Sequence, residues 1–98
     1  MTASEIPRIP ERLFVLPGPR LTRQDVPALC ERLASHLRSA GHPAEVTCDA
    51  TAVTHADLAA VEAITRLRLT AVREGARVTF RNIGPDLTAL LTLTGLGP

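Results

Sequence analysis

Cys48 to Ala60 reads CDATAVTHADLAA, and the order of its residues describes a chain that leaves a strand, turns and enters a helix. Ala44 to Cys48, AEVTC, is a short apolar run of strand type. Asp49 closes it. Asp57 stands where a helix start needs a side-chain oxygen for its orphan backbone N–H groups. The loop between the two aspartates is the expected functional surface, because loops at the carboxyl ends of parallel strands carry most binding in open α/β sheets.

Downstream, the spacing predicts a helix from Asp57 to Glu74 closed by Gly75. At ~100° per residue, Ala60, Val61, Ile64, Leu67 and Ala71 share one face, the expected core face. Leu58, Leu69 and Val72 form a second apolar stripe on another side, with Thr65 among them. A helix with two apolar faces either packs on both or shows one to a partner. Arg68 lies between the two, so its stem is expected to pack while its head escapes to water. Arg77 to Arg81, RVTFR, alternates in period two and reads as a half-buried strand with Val78 and Phe80 facing one way. Gly84-Pro-Asp86 opens a last helix whose apolar face is Leu87, Leu90 and Leu91, and Gly95 ends it.

Upstream, Thr22 and Asp25 have the spacing of a capping-box variant, and Pro27 is tolerable only in the first turn of the helix that follows. Val26, Leu29, Cys30, Leu33 and Leu37 give that helix a one-sided stripe to about Ala40, where Gly41 and Pro43 stop it. Leu13 to Leu16 is a compact strand ended by Pro17-Gly-Pro19. Residues 1–12 hold Pro7 and Pro10 and read as an extended arm, with Ile6 to Ile9 at best a short edge strand. The layout β-β-α-β-α-β-α predicts one α/β domain over residues 1–98. It has about four strands in a mixed sheet with parallel central strands, and three helices mainly on one face.

Several stretches also resemble a known family. Asp49 is followed eight residues later by Asp57, with Val53-Thr54 between, which is similar to the pattern Asp-Leu-Ser-x-Val-x-x-x-Asp-Ser-Ser-Gly of the STAS domain, the sulphate-transporter and anti-sigma-factor-antagonist family. REGARVTF from Arg73 to Phe80 and LLTLTGL from Leu90 to Leu96 match two further family segments, and Gly18 to Leu21 resembles the family's Gly-x-Leu. The resemblance implies a STAS-like sheet, shortened at the C-terminus because the family usually continues into another strand and helix. It implies a non-enzymatic interaction module similar to an anti-sigma factor antagonist, whose partner is an anti-sigma factor or similar regulatory kinase. The alternative is a STAS subunit of a larger assembly, such as a lipid-transport ATPase. In antagonist members the Ser after the second Asp is phosphorylated. Here Asp57 is followed by Leu58, Ala59 and Ala60, so that control is expected to be missing. The partner surface is expected to comprise Thr51, Thr54, His55, Asp57, Leu58, Leu69 and Val72.

Composition narrows the function from another side. All 11 basic residues are arginine, the net charge is +1, and the ten acids are interspersed among them. The arginine bias fits a GC-rich bacterial coding sequence. Such a surface offers no field to attract phosphate backbones. Phe14 and Phe80 are the only aromatics, too few for a base-stacking platform. No apolar run of ~18 residues and no signal-peptide profile occurs, so the expected location is cytoplasmic, with no membrane insertion. Cys30 and Cys48 form neither a zinc pattern nor a disulfide framework and are expected as small buried hydrophobes. His36, His42 and His55 show no metal-ligand spacing, so neither cofactor nor metal is expected and an enzyme built on His55 and Asp57 is disfavoured. With the usual following strand missing beside Arg77 to Arg81, an open edge, and with it a homodimer or a strand-adding partner, is expected.

Overall fold

Period-two alternation in each strand sets the orientation of the sheet. The computed structural model describes residues 13–95, in the order β1 (Leu13–Val15), α1 (Val26–Ser39), β2 (Glu45–Asp49), α2 (Leu58–Arg73), β3 (Arg77–Arg81) and α3 (Pro85–Leu93). Phe14, Val46 and Cys48 are buried and Val78 and Phe80 half-buried. These five point to the helices. Thr47, Asp49, Arg77, Thr79 and Arg81 occupy the opposite face, as alternation requires.

The strands lie in the order β1-β2-β3, and both pairings are parallel, Phe14 opposite Cys48 and Cys48 opposite Phe80. Among the described residues the sheet therefore has three strands, all parallel. The reason is connectivity, since α1 and α2 each carry the chain back to start the next strand in the same direction. The Ile6 to Ile9 segment, and with it the arm of residues 1–12, lies outside the described residues.

Helix boundaries follow their local chemistry. Asp57 is the N-cap of α2, its Oδ1 accepting the Ala60 N–H at 2.9 Å. Gly75, at φ 79°, turns the chain out of the helix, a conformation that costs glycine little. Ahead of α1, Thr22 and Asp25 are joined as the capping-box spacing implies: Thr22 Oγ1 accepts the Asp25 N–H at 3.3 Å and donates to Asp25 Oδ2 at 2.6 Å. Asp25, which directly precedes the helix with helical backbone angles, makes no side-chain cap of its own.

The core fills the space between helices and sheet. Leu33, Leu37, Ile64, Leu67 and Leu91 are fully buried, joined by Leu16 and Leu21 from the β1–α1 loop. Leu16 lies one residue past β1 yet still donates its N–H to Asp49 C=O at 2.9 Å. Cys48 is buried, and burial pushes its thiol up to about 12, so it packs as a hydrophobe. Cys30 is half-buried. Arg68 departs from the sequence expectation: its guanidinium stays 5.6 Å from the Phe80 ring centre, held by the ring's negative face. Among the described residues no helix is long and apolar enough to cross a membrane.

Candidate functional site

Parallel strands deliver their following loops to one end of the sheet, and there Asp49 binds two of them together. Its Oδ1 accepts the Thr51 N–H at 3.0 Å, the Thr51 hydroxyl at 2.6 Å and the Asn82 amide at 3.2 Å. Arg81 Nη2 lies 3.7 Å from Oδ2. The Thr51 hydroxyl first, then its backbone N–H and the Asn82 amide, hold the Asp49 carboxyl down to about 2. Asp49 is thus a fixed anion that joins the β2–α2 loop to the β3–α3 loop. Asn82 reaches it from a left-handed backbone at φ 60°, which asparagine tolerates better than most residues.

The β1–α1 loop closes the cluster from the other side. Pro19 C=O accepts the N–H groups of Thr54 at 2.9 Å and His55 at 3.1 Å. The approach is close enough that a Cβ on Gly18 would come within 1.8 Å of Ala52 C=O. Only glycine fits there. This loop therefore rests on its neighbours at both ends, with Val53 buried beneath it.

Between this loop and the start of α3 lies an open pocket of about 260 Å³. Thr51, Thr54 and His55 form one wall, Asn82 and Asp86 the other, and Val53 and Leu87 the floor. The loop's two carboxylates are both engaged, Asp49 as described and Asp57 on the α2 cap. His55 is exposed and has no carboxylate partner among the described residues. The arrangement supplies no paired acid and base at hydrogen-bond distance. What it offers is a rim of polar side chains, tied by hydrogen bonds across its loops, over an apolar floor.

Leu58 opens α2 beside this rim and is 62% exposed; Leu69 is 49% and Val72 67% exposed. The three do not converge on the pocket. Leu69 lies about 16 Å along the helix axis from Leu58, at ~1.5 Å per residue. It lines a separate groove of about 200 Å³ with Val26, Pro27 and Cys30 of α1. The sequence-derived residues thus fall into two groups, Thr51, Thr54, His55 and Asp57 in the loop cluster and Leu58, Leu69 and Val72 along α2. Glu62 borders the stripe and is tied by Arg23 at 2.9 Å and Arg66 at 3.9 Å.

Asn82, Asp86 and Gly18 were not singled out for this site from the sequence. Asn82 carried a faint signal, an asparagine directly after a strand. The contacts of Pro19 and Gly18 join loops distant in sequence and leave no local pattern. In comparisons with known proteins, residues 18–98 match the family model described as "Mlab, STAS domain". No curated protein and no solved structure gives a significant match.

Proposed function

The chain belongs to the STAS domain family, and we propose that it acts as a non-enzymatic docking module whose partner is a kinase-type anti-sigma factor. The observation that carries this reading is the exposure of Leu58, Leu69 and Val72 together on one face of a helix whose other face is core. Large apolar side chains grouped on a surface weaken solubility unless a partner covers them. The loop Thr51 to Leu58 adds a polar rim of fixed shape, as interface centres are usually bordered.

A second reading, a STAS subunit held in a larger assembly such as a lipid-transport ATPase, is favoured by Leu58 itself. A permanent subunit has no need of release, and Leu58 stands where antagonist members carry the phosphorylated Ser. Of the two nearby threonines, Thr51 has its hydroxyl engaged by Asp49, while Thr54 is exposed.

Calorimetric titration of the purified chain with a candidate kinase-type anti-sigma factor and with a candidate transporter ATPase separates the two. In either case Leu69→Glu should weaken binding at least a hundredfold while leaving the thermal midpoint nearly unchanged, because Leu69 is a surface residue. Undiminished binding by Leu69→Glu would place the interface elsewhere. Unfolding of that variant would make the stripe part of the core.

A further inference from the structure

Among the described residues the backbone of β3 is paired on one side only. Arg77 N–H donates to Ala44 C=O at 2.8 Å, and Arg81 C=O accepts from Ala50 N–H at 2.9 Å. Main-chain groups of Arg77, Thr79 and Arg81 therefore face β2. Successive residues of a strand turn these groups to opposite edges, so Val78 and Phe80 present theirs outward. No described segment pairs with them there. Such a row of free donors and acceptors is a template for another strand.

Side chains along this edge are patterned on both faces. Away from the helices, Arg77 stands opposite Glu45, Thr79 opposite Thr47 and Arg81 opposite Asp49. Each charged row thus runs from acid to arginine and stops at the rim. On the helix side, Val78 and Phe80 are only half-buried, and a neighbouring strand would cover their open flanks. A second copy adding its own β3 in antiparallel fashion would set arginine against arginine in both charged rows, which is destabilising. A strand with acids in those rows would instead meet each arginine from its free side.

We propose that the outer edge of β3 takes up an extended acidic segment of another protein by strand addition. Its five central residues would read acidic, apolar, Thr-like, apolar, acidic, with the acids on Arg77 and Arg81 and the apolar pair over Val78 and Phe80. The pattern is the same in both directions, so it suits a parallel or an antiparallel guest. This surface is separate from the outer stripe of α2 and does not depend on it.

The test titrates the isotope-labelled full chain with a synthetic peptide, Gly-Gly-Glu-Val-Thr-Val-Glu-Gly-Gly, and follows amide shifts and hydrogen exchange. Saturable shifts across residues 77–81 are expected, with exchange slowed at Val78 and Phe80. Replacing both glutamates by lysine should weaken binding at least tenfold, and the Arg77→Glu, Arg81→Glu double variant should reverse that preference. Two peptides N-methylated on alternate sets of amides distinguish strand addition from simple charge attraction, since one of them must lose binding. Leu69→Glu should bind the peptide as the unaltered chain does. The proposal is overturned if the lysine peptide binds equally well, or if exchange at Val78 and Phe80 is unaffected. It also fails if those amides become protected with protein concentration alone, which would give the edge to a second copy, or if a single-stranded oligonucleotide displaces the peptide at lower concentration.

Discussion

Helix α2 has two apolar faces, and their side chains are distributed against simple expectation. The inner face is rich in alanine, with Ala60, Ala63 and Ala71 fully buried beside Ile64 and Leu67, whereas the outer face carries the larger Leu58, Leu69 and Val72 in water. Small residues inside permit close approach of the neighbouring elements, as dense packing demands. Large residues outside contribute less to the fold of this chain, because roughly half or more of each side chain stays in water. Burial on α2 thus follows geometry, and the outer stripe calls for an explanation other than stability.

Deleting equal volumes from the two faces tests this asymmetry most directly. Leu67→Ala should cost about 2–5 kcal/mol, from lost transfer energy plus the cavity left in a packed interior. Leu69→Ala should remain within about 0.5 kcal/mol of the unaltered chain, as exposed substitutions do. Urea unfolding with unchanged slope measures both. Equal losses would show that the two stripes are both structural.

A smaller effect is expected where α2 begins. Asp57→Ala removes the acceptor for the Ala60 N–H and should cost about 1 kcal/mol. Because the cap holds the helix start next to the loop, the loss should also loosen Thr54 and His55, visible as faster amide exchange. Unchanged exchange there would separate the loop's order from the helix cap and assign it to the Pro19 contacts instead.

Much of this arrangement was legible in the sequence. The α2 boundaries followed from Asp57 and Gly75, and β3 from strict alternation, because each signal is local. Both stripes of α2 were readable from angular spacing. Which of them is exposed follows in the structure from the packing of α1 and the sheet against one side. The Asp49 to Asn82 bond, the seat of Gly18 on Ala52 and the Arg68 to Phe80 contact all join residues distant along the chain. No periodicity announces such contacts. The Thr22 and Asp25 pairing ahead of α1 was legible, by contrast, being a contact between residues three apart.

Asp49 gives the loop cluster a pH signature that α2 lacks. Its carboxyl is lowered from 3.8 to about 2, chiefly by the Thr51 hydroxyl. A carboxyl depressed by folding contributes stability above its unfolded value, and the contribution disappears as pH falls through the folded one. The loss should therefore fall between about pH 4 and pH 2. In Asp49→Asn that acid limb should be flatter, whereas in Leu69→Ala it should keep the original shape. An unaltered limb in Asp49→Asn would show that other carboxyls govern acid unfolding.

The smallest effect on stability, and the sharpest test of the outer stripe, is expected at Leu58. It is the first residue of α2 and is exposed, so Leu58→Ser should change stability by less than about 0.5 kcal/mol. The substitution places a hydroxyl next to free N–H groups of a helix start, where a phosphate is stabilised by those donors and by the helix dipole. The unaltered chain has no hydroxyl at this position. Thr51 already donates its own to Asp49 at 2.6 Å, which leaves Thr54 as the exposed alternative. Incubation with ATP and the candidate kinase, read by intact mass, should leave the unaltered chain unmodified and add one phosphate to Leu58→Ser. Phosphate brings nearly two negative charges at neutral pH, and next to an apolar contact it should release the partner from the variant alone. That outcome would mark Leu58 as the point where the outer stripe replaces a switch with a constitutive contact. A stoichiometric phosphate on Thr54 of the unaltered chain, with weakened binding, would show instead that the switch has moved by four residues and that the stripe remains under its control.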